Sequence, residues 1–279
     1  DLARRDECSR RDLGDFSRPA VVSGLVDGWA ARRHWGSRES LMERYANLKV
    51  VATRLVPVGE MGKSQNVAVS LAAYFRYCDT TDSDFPLYVF DYDLPSSVLR
   101  HDYSPPPIEC FKNDLFDPEA YPHDFPRDSL GYFNKTEWVI IGPRGTGSPL
   151  HKDPLYTSAW NALLSGRKRW ATFPPHIDLA RLNKGPDTES AATWFLEELP
   201  KLREMPELGL VEFTQDAGDV VYLPEGWWHA VLNVSEELCF AVTHNAVLVD
   251  KTENLWPRLR ETHKEFVEAF EELKKRNRQ

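Results

Sequence analysis

Cysteine is scarce in this sequence, and long apolar runs are lacking altogether. The 279 residues include four cysteines without any C-x-x-C spacing of a zinc or redox motif: Cys8, Cys78, Cys110 and Cys239. We therefore expect reduced thiols rather than a disulfide framework. No stretch approaches the roughly 20 consecutive apolar residues of a membrane span, and the first residues lack the apolar core of a signal peptide. We expect a soluble intracellular protein without a membrane partner.

Positive charge is in deficit. The chain has 34 Lys and Arg residues against 43 Asp and Glu residues, which gives a net charge of -9. This balance gives no support for strong constitutive binding to nucleic acid or to an anionic membrane. Hydrophobic residues make up 42% and charged residues 28%, with nine Trp. The composition is typical of a folded globular protein and excludes a disordered one.

Composition and periodicity divide the chain into three segments. A polar, Arg-rich segment at 1–15 precedes a domain over 16–249, and a helix follows at 250–279. Within the domain, residues 94–134 are rich in Pro, Asp and aromatic residues and show no period, so we predict an irregular insertion that serves as a lid or binding rim. The terminal helix carries an apolar stripe: Leu259, Phe266, Phe270 and Leu273. The stripe favours docking on the domain, with a homodimer through this helix as the alternative.

The order of predicted elements indicates a mainly β fold with peripheral helices. In the first half we predict, in order, helix 37–45, strand 50–55, helix 67–77 and strand 86–91. In the second half we predict strands at 137–141, 151–158, 161–164, 167–173, 211–213, 219–223 and 238–243. Short strands at near-regular spacing with Gly or Pro between them predict an antiparallel barrel or a double-sheet sandwich.

One short motif has the residue types of a metal site. His151 and Asp153 are two apart in a predicted strand, so their side chains are expected on one face. An imidazole and a carboxylate are two thirds of the two-His, one-carboxylate triad of non-haem Fe(II) oxygenases. His229 is the best candidate for the third ligand, and His244 at a strand end is the alternative. The remaining rivals lie in a loop and on the terminal helix: His176 and His263.

A buried cation would complete a site of this kind, because a dicarboxylic 2-oxoacid co-substrate needs a partner for its far carboxylate. Strand alternation predicts that Lys168 faces inward, after a hairpin at 165–166 that returns its strand beside Asn161. An Arg-Lys-Arg run is otherwise typical of a solvated basic face. Lys152 is the competing cation, but alternation directs it away from His151.

Four motifs stand in the order found in JmjC oxygenases. They are His151-x-Asp153, Thr157-Ser-Ala-Trp-Asn-Ala-Leu163, Gly166-Arg-Lys-Arg-Trp170 and Pro224-x-Gly-Trp-Trp-His229. The sequence resembles the arginine demethylase and lysyl hydroxylase branch of that family, also called phosphatidylserine receptor-like, from about residue 16 to residue 245. The resemblance implies a cupin-like jelly-roll, the double-stranded β-helix, which agrees with the strand-rich second half.

The resemblance also implies a cofactor and two co-substrates. It implies that His151, Asp153 and His229 bind Fe(II), that Lys168 pairs with the distal carboxylate of 2-oxoglutarate, and that O2 is the second co-substrate. Further pocket positions implied by the resemblance are Tyr88, Trp138, Ser148, Asn161, Thr243 and Asn245. Ser148 stands where the family pattern has Thr, and it keeps the hydroxyl.

The activity implied by the resemblance is that of a 2-oxoglutarate-dependent dioxygenase acting on protein side chains. Lysyl hydroxylation and demethylation of methyl-arginine, as in histones, are both within its chemistry. The implied substrate is a Lys- or Arg-rich protein, a histone or an RNA-processing factor, which the negative net charge suits. The resemblance further implies a nuclear chromatin regulator, with the cytoplasm as a second compartment. The alternatives are an inactive JmjC-like scaffold and a metal-binding cupin that does not depend on 2-oxoglutarate.

Overall fold

The computed structural model describes most of the chain. The described residues are 4–5, 17–54, 65–106, 114, 136–153, 157–178, 190–247, 256–257, 259–261 and 264–276. Its strands are β1 (Arg4–Arg5), β2 (Ala20–Ser23), β3 (Lys49–Arg54), β4 (Gln65–Ser70), β5 (Tyr88–Asp91), β6 (Glu137–Gly142), β7 (Gly147–His151), β8 (Ser158–Ser165), β9 (Arg167–Phe173), β10 (Val211–Asp216), β11 (Asp219–Leu223), β12 (Trp228–Asn233) and β13 (Cys239–Ala246).

The helices are short and peripheral. They are α1 (Ala31–His34), α2 (Arg38–Tyr45), α3 (Leu71–Thr80), α4 (Ala191–Thr193), a π-helical turn (Trp194–Glu198), α5 (Leu199–Arg203) and α6 (Lys264–Arg276), with 3-10 turns at Leu94–Ser96, Val98–Asp102 and Pro206–Leu208. None of the helices in the described ranges is long and apolar enough to cross a membrane.

Two sheets make up the centre of the fold. The larger sheet has nine strands in the order β1-β2-β11-β8-β13-β6-β5-β3-β4, and the smaller has four in the order β10-β9-β12-β7. All pairings are antiparallel except that of β1 with β2. The predicted mainly β, jelly-roll architecture is therefore confirmed, and residues on both sheets line one cavity.

The predicted hairpin at 165–166 is wrong. β8 pairs with β11 and β13 in the larger sheet, whereas β9 pairs with β10 and β12 in the smaller one. Gly166, at φ +81°, turns the chain from one sheet to the other. A Cβ at this position would lie 2.7 Å from the Cys239 sulfur and would also strain the backbone. A local turn signal does not distinguish a return within one sheet from a crossing between two.

Two further predicted elements have different bounds in the structure. The segment predicted as helix 67–77 begins as β4, and α3 starts only at Leu71, because the Ser70 side chain accepts a hydrogen bond from the Ala73 amide and caps the helix there. The strand predicted at 151–158 is wrong, since β7 ends at His151 and β8 begins at Ser158. The helices between Ala191 and Arg203 were not predicted from the sequence.

The C-terminal segment is helical at 256–257, 259–261 and 264–276, and the described side chains of its apolar stripe are buried. Leu259 and Phe266 have no exposed surface, Phe270 is 8% exposed, and the Trp256 ring packs 4.9 Å from that of Phe270. The ring contact lies within the C-terminal segment, so docking of this segment on the domain stays a prediction. The side chain of Leu273 lies outside the described residues, and dimerisation stays a prediction, as do the three segment bounds.

The thiols agree with the expected reduced state as far as they are described. Cys78 and Cys239 form no disulfide, whereas Cys8 and Cys110 lie outside the described residues. Burial raises the pKa of Cys78 to about 11, so this thiol is protonated at neutral pH.

A buried carboxylate joins α1 and α2 to the 3-10 turn that ends at Asp102. Asp102 accepts hydrogen bonds from His34 Nδ1 at 2.8 Å, Trp35 Nε1 at 2.7 Å and the Tyr45 hydroxyl at 2.5 Å. Burial acts to raise the pKa of Asp102, but these hydrogen bonds outweigh it, and the pKa lies below its usual range. The carboxylate is thus charged and fully bonded at neutral pH.

We expect Asp102→Ala to destabilise the protein by about 3 kcal/mol, because three donors lose their buried acceptor. Since the pKa of Asp102 is lower in the folded chain than in the unfolded one, its contribution is present above the unfolded value and is lost as pH falls through the folded value. Urea unfolding at pH 7 and along an acid series measures both effects. A loss below about 0.5 kcal/mol would assign these bonds no stabilising role.

Candidate active site

Two histidines lie side by side on neighbouring strands of the smaller sheet. β7 and β12 are antiparallel neighbours, and His151 and His229 are direct cross-strand partners. Their ring centroids are 4.1 Å apart. Strand pairing therefore brings together two imidazoles that are 78 positions apart in the sequence.

Asp153 completes a cluster of three ligand atoms. Its Oδ1 lies 3.8 Å from the Nε2 atoms of both His151 and His229, and one atom of each residue lies within 4.8 Å of the others. Adjacent ligands about 2.1 Å from a shared ion lie roughly 3 Å apart, so the three side chains need to move only slightly inward to bind one ion. Because β7 ends at His151, the chain that leaves the strand, rather than alternation within it, places Asp153.

Backbone carbonyls orient both imidazoles. His151 Nδ1 lies 2.7 Å from the Pro149 carbonyl, and His229 Nδ1 lies 3.3 Å from the Trp227 carbonyl. A carbonyl only accepts, so each Nδ1 donates its proton and each Nε2 is the ring atom turned toward Asp153. This is the tautomer that a metal ligand needs.

Burial sets the protonation of this cluster. Burial and the neighbouring His151 lower the pKa of His229 well below its ordinary value, so the ring is neutral at physiological pH. Burial raises the pKa of Asp153, an effect opposed by His151 and by a hydrogen bond with Asn245. A charged carboxylate is unstable when it is buried, so a bound cation would stabilise the charged form of Asp153.

The cluster lies in a cavity of about 200 Å³. This is smaller than the roughly 300–1,000 Å³ of sites for drug-sized ligands, which suits a small co-substrate. The cavity is lined by all ten predicted site residues: Tyr88, Trp138, Ser148, His151, Asp153, Asn161, Lys168, His229, Thr243 and Asn245. The structure thus assembles the predicted set, and the individual roles stay predictions.

Lys168 is a buried cation on the wall of this cavity. It is 1% exposed, and its Nζ donates a hydrogen bond of 2.8 Å to Asn233 Oδ1. Along β9 the exposed Arg167 alternates with the inward Lys168 and Trp170. The inward direction predicted for Lys168 is therefore right, although the strand belongs to the smaller sheet.

Asn161 presents an unsatisfied acceptor. Asn161 is 6% exposed, and its Oδ1 has no hydrogen-bond partner among the described residues. On the neighbouring strand Thr243 is its direct partner, and the Thr243 hydroxyl donates to the Trp160 carbonyl at 2.9 Å. A buried amide oxygen without a partner on the wall of a cavity is typical of a group that awaits a ligand or water.

The rival ligands lie elsewhere. His244 alternates with Thr243 and Asn245 on β13, so it faces away from the cavity, stacks on Trp160 and pairs with Asp114 at 3.0 Å. The alternative triad through His244 is therefore wrong. His176 is an exposed residue of a turn, and His263 lies outside the described residues.

The competing cation is also outside the cavity. Lys152 donates a hydrogen bond of 2.8 Å to the Pro175 carbonyl and lies 4.7 Å from the centre of the Trp228 ring. Its direction away from His151 agrees with the prediction.

Three residues outside the predicted set shape the site, and sequence reasoning missed two of them. Trp170 stacks on the His229 ring at 6.1 Å, and its Nε1 donates to Gln215 Oε1 at 3.0 Å. Gln215 in turn donates from Nε2 to the Asn161 carbonyl at 2.8 Å, which links the two sheets. The third residue is Asn233, the acceptor for Lys168. Alternation on β9 placed Trp170 beside Lys168, but no motif marked Gln215 or Asn233.

With this geometry in view, comparison with known proteins identifies the family. The cupin-like domain family matches residues 8–246. This chain belongs to that family. The match covers both sheets, from β2 to the end of β13, and so includes the cavity and all ten residues that were predicted to line it.

Relatives of this cupin-like chain are named as demethylases, hydroxylases and oxygenases. It is 33% identical over 265 residues to the bifunctional arginine demethylase and lysyl-hydroxylase psr-1 of Caenorhabditis elegans, covering 89% of this chain and 60% of the relative. It is 34% identical to the lysine-specific demethylase JMJ21 of Arabidopsis thaliana, covering 84% and 23%. It is 27% identical to the 2-oxoglutarate and iron-dependent oxygenase JMJD4 of Mus musculus, covering 92% and 61%. The predicted resemblance to JmjC oxygenases is confirmed.

The cupin-like chain spans about three fifths of the length of the first of these relatives. Its residues fit the groups that such names imply. Two imidazole nitrogens and one carboxylate form a donor set suited to Fe(II). A buried ammonium at Lys168 and the unpartnered Asn161 Oδ1 are the groups that a polar, anionic co-substrate would satisfy.

Proposed function

We propose that this cupin-like domain is the catalytic part of an Fe(II)- and 2-oxoglutarate-dependent oxygenase that acts on protein side chains. The observation that carries the proposal is the joint presence of the His151, Asp153 and His229 cluster and the buried Lys168 in one cavity. A scaffold does not need a buried cation beside a metal-ligand cluster. Burying the cation and burying the cluster each lower the stability of the folded protein. The names of the relatives support the same chemistry.

Each residue has a defined task in this proposal. His151, Asp153 and His229 hold Fe(II), and the carbonyls of Pro149 and Trp227 keep the two rings in the required tautomer. Bound Fe(II) and O2 supply an oxidation in which 2-oxoglutarate becomes succinate and CO2 while one oxygen atom enters a substrate C–H bond. A metal held by three protein ligands leaves positions open for both co-substrates.

Lys168 supplies the charge that orients 2-oxoglutarate. Its ammonium is buried on the wall of the cavity, so an ion pair with the distal carboxylate would be shielded from water. Aliphatic side chains on both sheets, among them Val221, Leu223 and Val231, line the same space and exclude water from the reacting groups.

We further propose lysine or methyl-arginine side chains as the substrate class. Phe90 stacks on Trp138 at 5.6 Å, both line the cavity, and Phe90 is 37% exposed. An aromatic surface beside the opening suits a long cationic side chain. The net charge of -9 favours basic protein partners. This proposal includes iron and 2-oxoglutarate as cofactor and co-substrate, and histones or RNA-processing factors as partners. It also includes a nuclear location, or a nuclear and cytoplasmic one, and a role in chromatin regulation.

The substrate class is tested by mass spectrometry of peptides. We expect a lysine- or methylarginine-containing peptide from histone or Arg/Ser-rich libraries to gain one oxygen atom or lose a methyl group when incubated with the protein, Fe(II), 2-oxoglutarate and O2. His151→Ala is the inactive control. Peptide binding without modification would favour the scaffold, and metal binding without dependence on 2-oxoglutarate would favour the simple cupin.

A further inference from the structure

We propose that Asn233 is a positioning residue that aims the Lys168 ammonium at the distal carboxylate of 2-oxoglutarate. The inference rests on the proposed function and adds a residue that no motif marks. Asn233 has no exposed surface, and it lies directly opposite Lys168 in the pairing of β12 with β9. Its Oδ1 accepts the hydrogen bond from Nζ at 2.8 Å.

The orientation of the Asn233 amide is fixed by its surroundings. Nδ2 donates to Thr146 Oγ1 at 2.9 Å and to the Gly142 carbonyl at 3.3 Å. The Thr146 hydroxyl donates its own proton to the Pro143 carbonyl at 2.6 Å, so the hydroxyl oxygen can only accept a hydrogen bond from Nδ2. The opposite orientation would place the amide oxygen against these acceptors. The oxygen must therefore face Lys168.

Backbone hydrogen bonds join the end of β12 at Asn233 to the turn between β6 and β7. The Asn233 amide donates to the Thr146 carbonyl at 2.8 Å, and the Gly145 amide donates to the Asn233 carbonyl at 2.9 Å. Gly142 keeps the space open, because a Cβ there would collide with the Thr146 hydroxyl and would lie 2.6 Å from the Tyr88 ring. The acceptor for Lys168 is thus anchored by main chain and side chain together.

A neutral acceptor is what this site requires. An ammonium has three donors, and Asn233 engages one without neutralising the charge. An aspartate at this position would form a buried ion pair with Lys168 and would repel an incoming carboxylate. Asn233 therefore fixes the direction of the cation and leaves its charge available to an anionic ligand.

The test compares two ligands that differ only at the distal end. Wild type and Asn233→Ala, loaded with Fe(II) without oxygen, are titrated by calorimetry with 2-oxoglutarate and with 2-oxopentanoate, which carries a methyl group in place of the distal carboxylate. We expect the variant to bind 2-oxoglutarate at least about tenfold more weakly and 2-oxopentanoate unchanged, because only the ion pair loses its alignment. We expect Asn233→Asp to weaken 2-oxoglutarate further.

Two controls separate positioning from general loss of structure. Val50→Ala, in the core of the larger sheet, lowers stability without altering the ratio of the two affinities. In a Lys168→Ala background, Asn233→Ala should cause no further loss of 2-oxoglutarate affinity. If Asn233→Ala does not fold, Thr146→Val removes one bond that fixes the amide and should shift the ratio in the same direction.

The possible results distinguish the inference from the function on which it rests. Equal weakening of both ligands would overturn the positioning role and leave the oxygenase proposal intact. No binding of 2-oxoglutarate by the Fe(II)-loaded wild type would overturn both.

Discussion

We expect His229→Ala to retain no Fe(II) and to show no detectable turnover of 2-oxoglutarate. The Nε2 of His229 is one of three donors, and its ring is buried, neutral and aligned by the Trp227 carbonyl. Loss of a group that only orients a metal ligand costs about 10–100-fold in affinity or activity, so loss of the ligand itself should exceed a hundredfold. Metal content after dialysis against limiting Fe(II) measures the effect.

His244→Ala is the matched control for this prediction. His244 is also a strand histidine, but it is only partly buried, stacks on Trp160 and pairs with Asp114 outside the cavity. We expect the variant to keep wild-type Fe(II) content. Loss of iron in His244→Ala with retention in His229→Ala would reverse the assignment of the third ligand.

Lys168→Ala is expected to weaken 2-oxoglutarate by about a hundredfold while Fe(II) affinity stays within about twofold. The ammonium is 1% exposed, and a charge-assisted bond in such surroundings contributes about 2–3 kcal/mol. The measurement is the dissociation constant of 2-oxoglutarate for the Fe(II)-loaded protein without oxygen. Exposed Arg167, changed to Ala, is the control, since it alternates to the other face of β9. Equal affinities in Lys168→Ala and wild type would remove Lys168 from the site.

The same lysine should give the affinity a pH dependence. Burial lowers the pKa of Lys168, so the empty site loses its ammonium at a lower pH than an exposed lysine does. Affinity for 2-oxoglutarate is therefore expected to fall as pH rises through that lowered pKa, and to be flat there in Lys168→Ala. Because the unfolded chain binds more protons in this window, stability without ligand should rise with pH between the folded and unfolded pKa values.

Most of the site residues could be predicted from short-range patterns in the sequence. The H-x-D motif, the Trp-Trp-His segment and the alternation that turns Lys168 inward are local, and the resemblance supplied their order. Strand pairing then joined His151 to His229. The larger errors were also local in origin. Val67 to Ser70 fits a helix by spacing of apolar residues, but its β-branched residues pair with β3, and Ser70 caps the next helix.

The residues missed by sequence reasoning act through long-range contacts. Asn233 and Gln215 are buried amides in ordinary strand segments, and their partners Lys168 and Asn161 are 65 and 54 positions away. No spacing rule links residues at such distances. The turn at Gly166 was misread for a related reason, since only the pairing of distant strands decides which sheet β9 joins.

We propose that this cavity couples oxidation of 2-oxoglutarate to oxygenation of a protein side chain. The most direct measurement is mass spectrometry of succinate formed by the wild-type protein with Fe(II), 2-oxoglutarate and a modified peptide under isotopically labelled O2. One labelled oxygen atom is expected in succinate and one in the hydroxylated product, with no succinate when Fe(II) is omitted. Absence of succinate, or succinate without label, would contradict it.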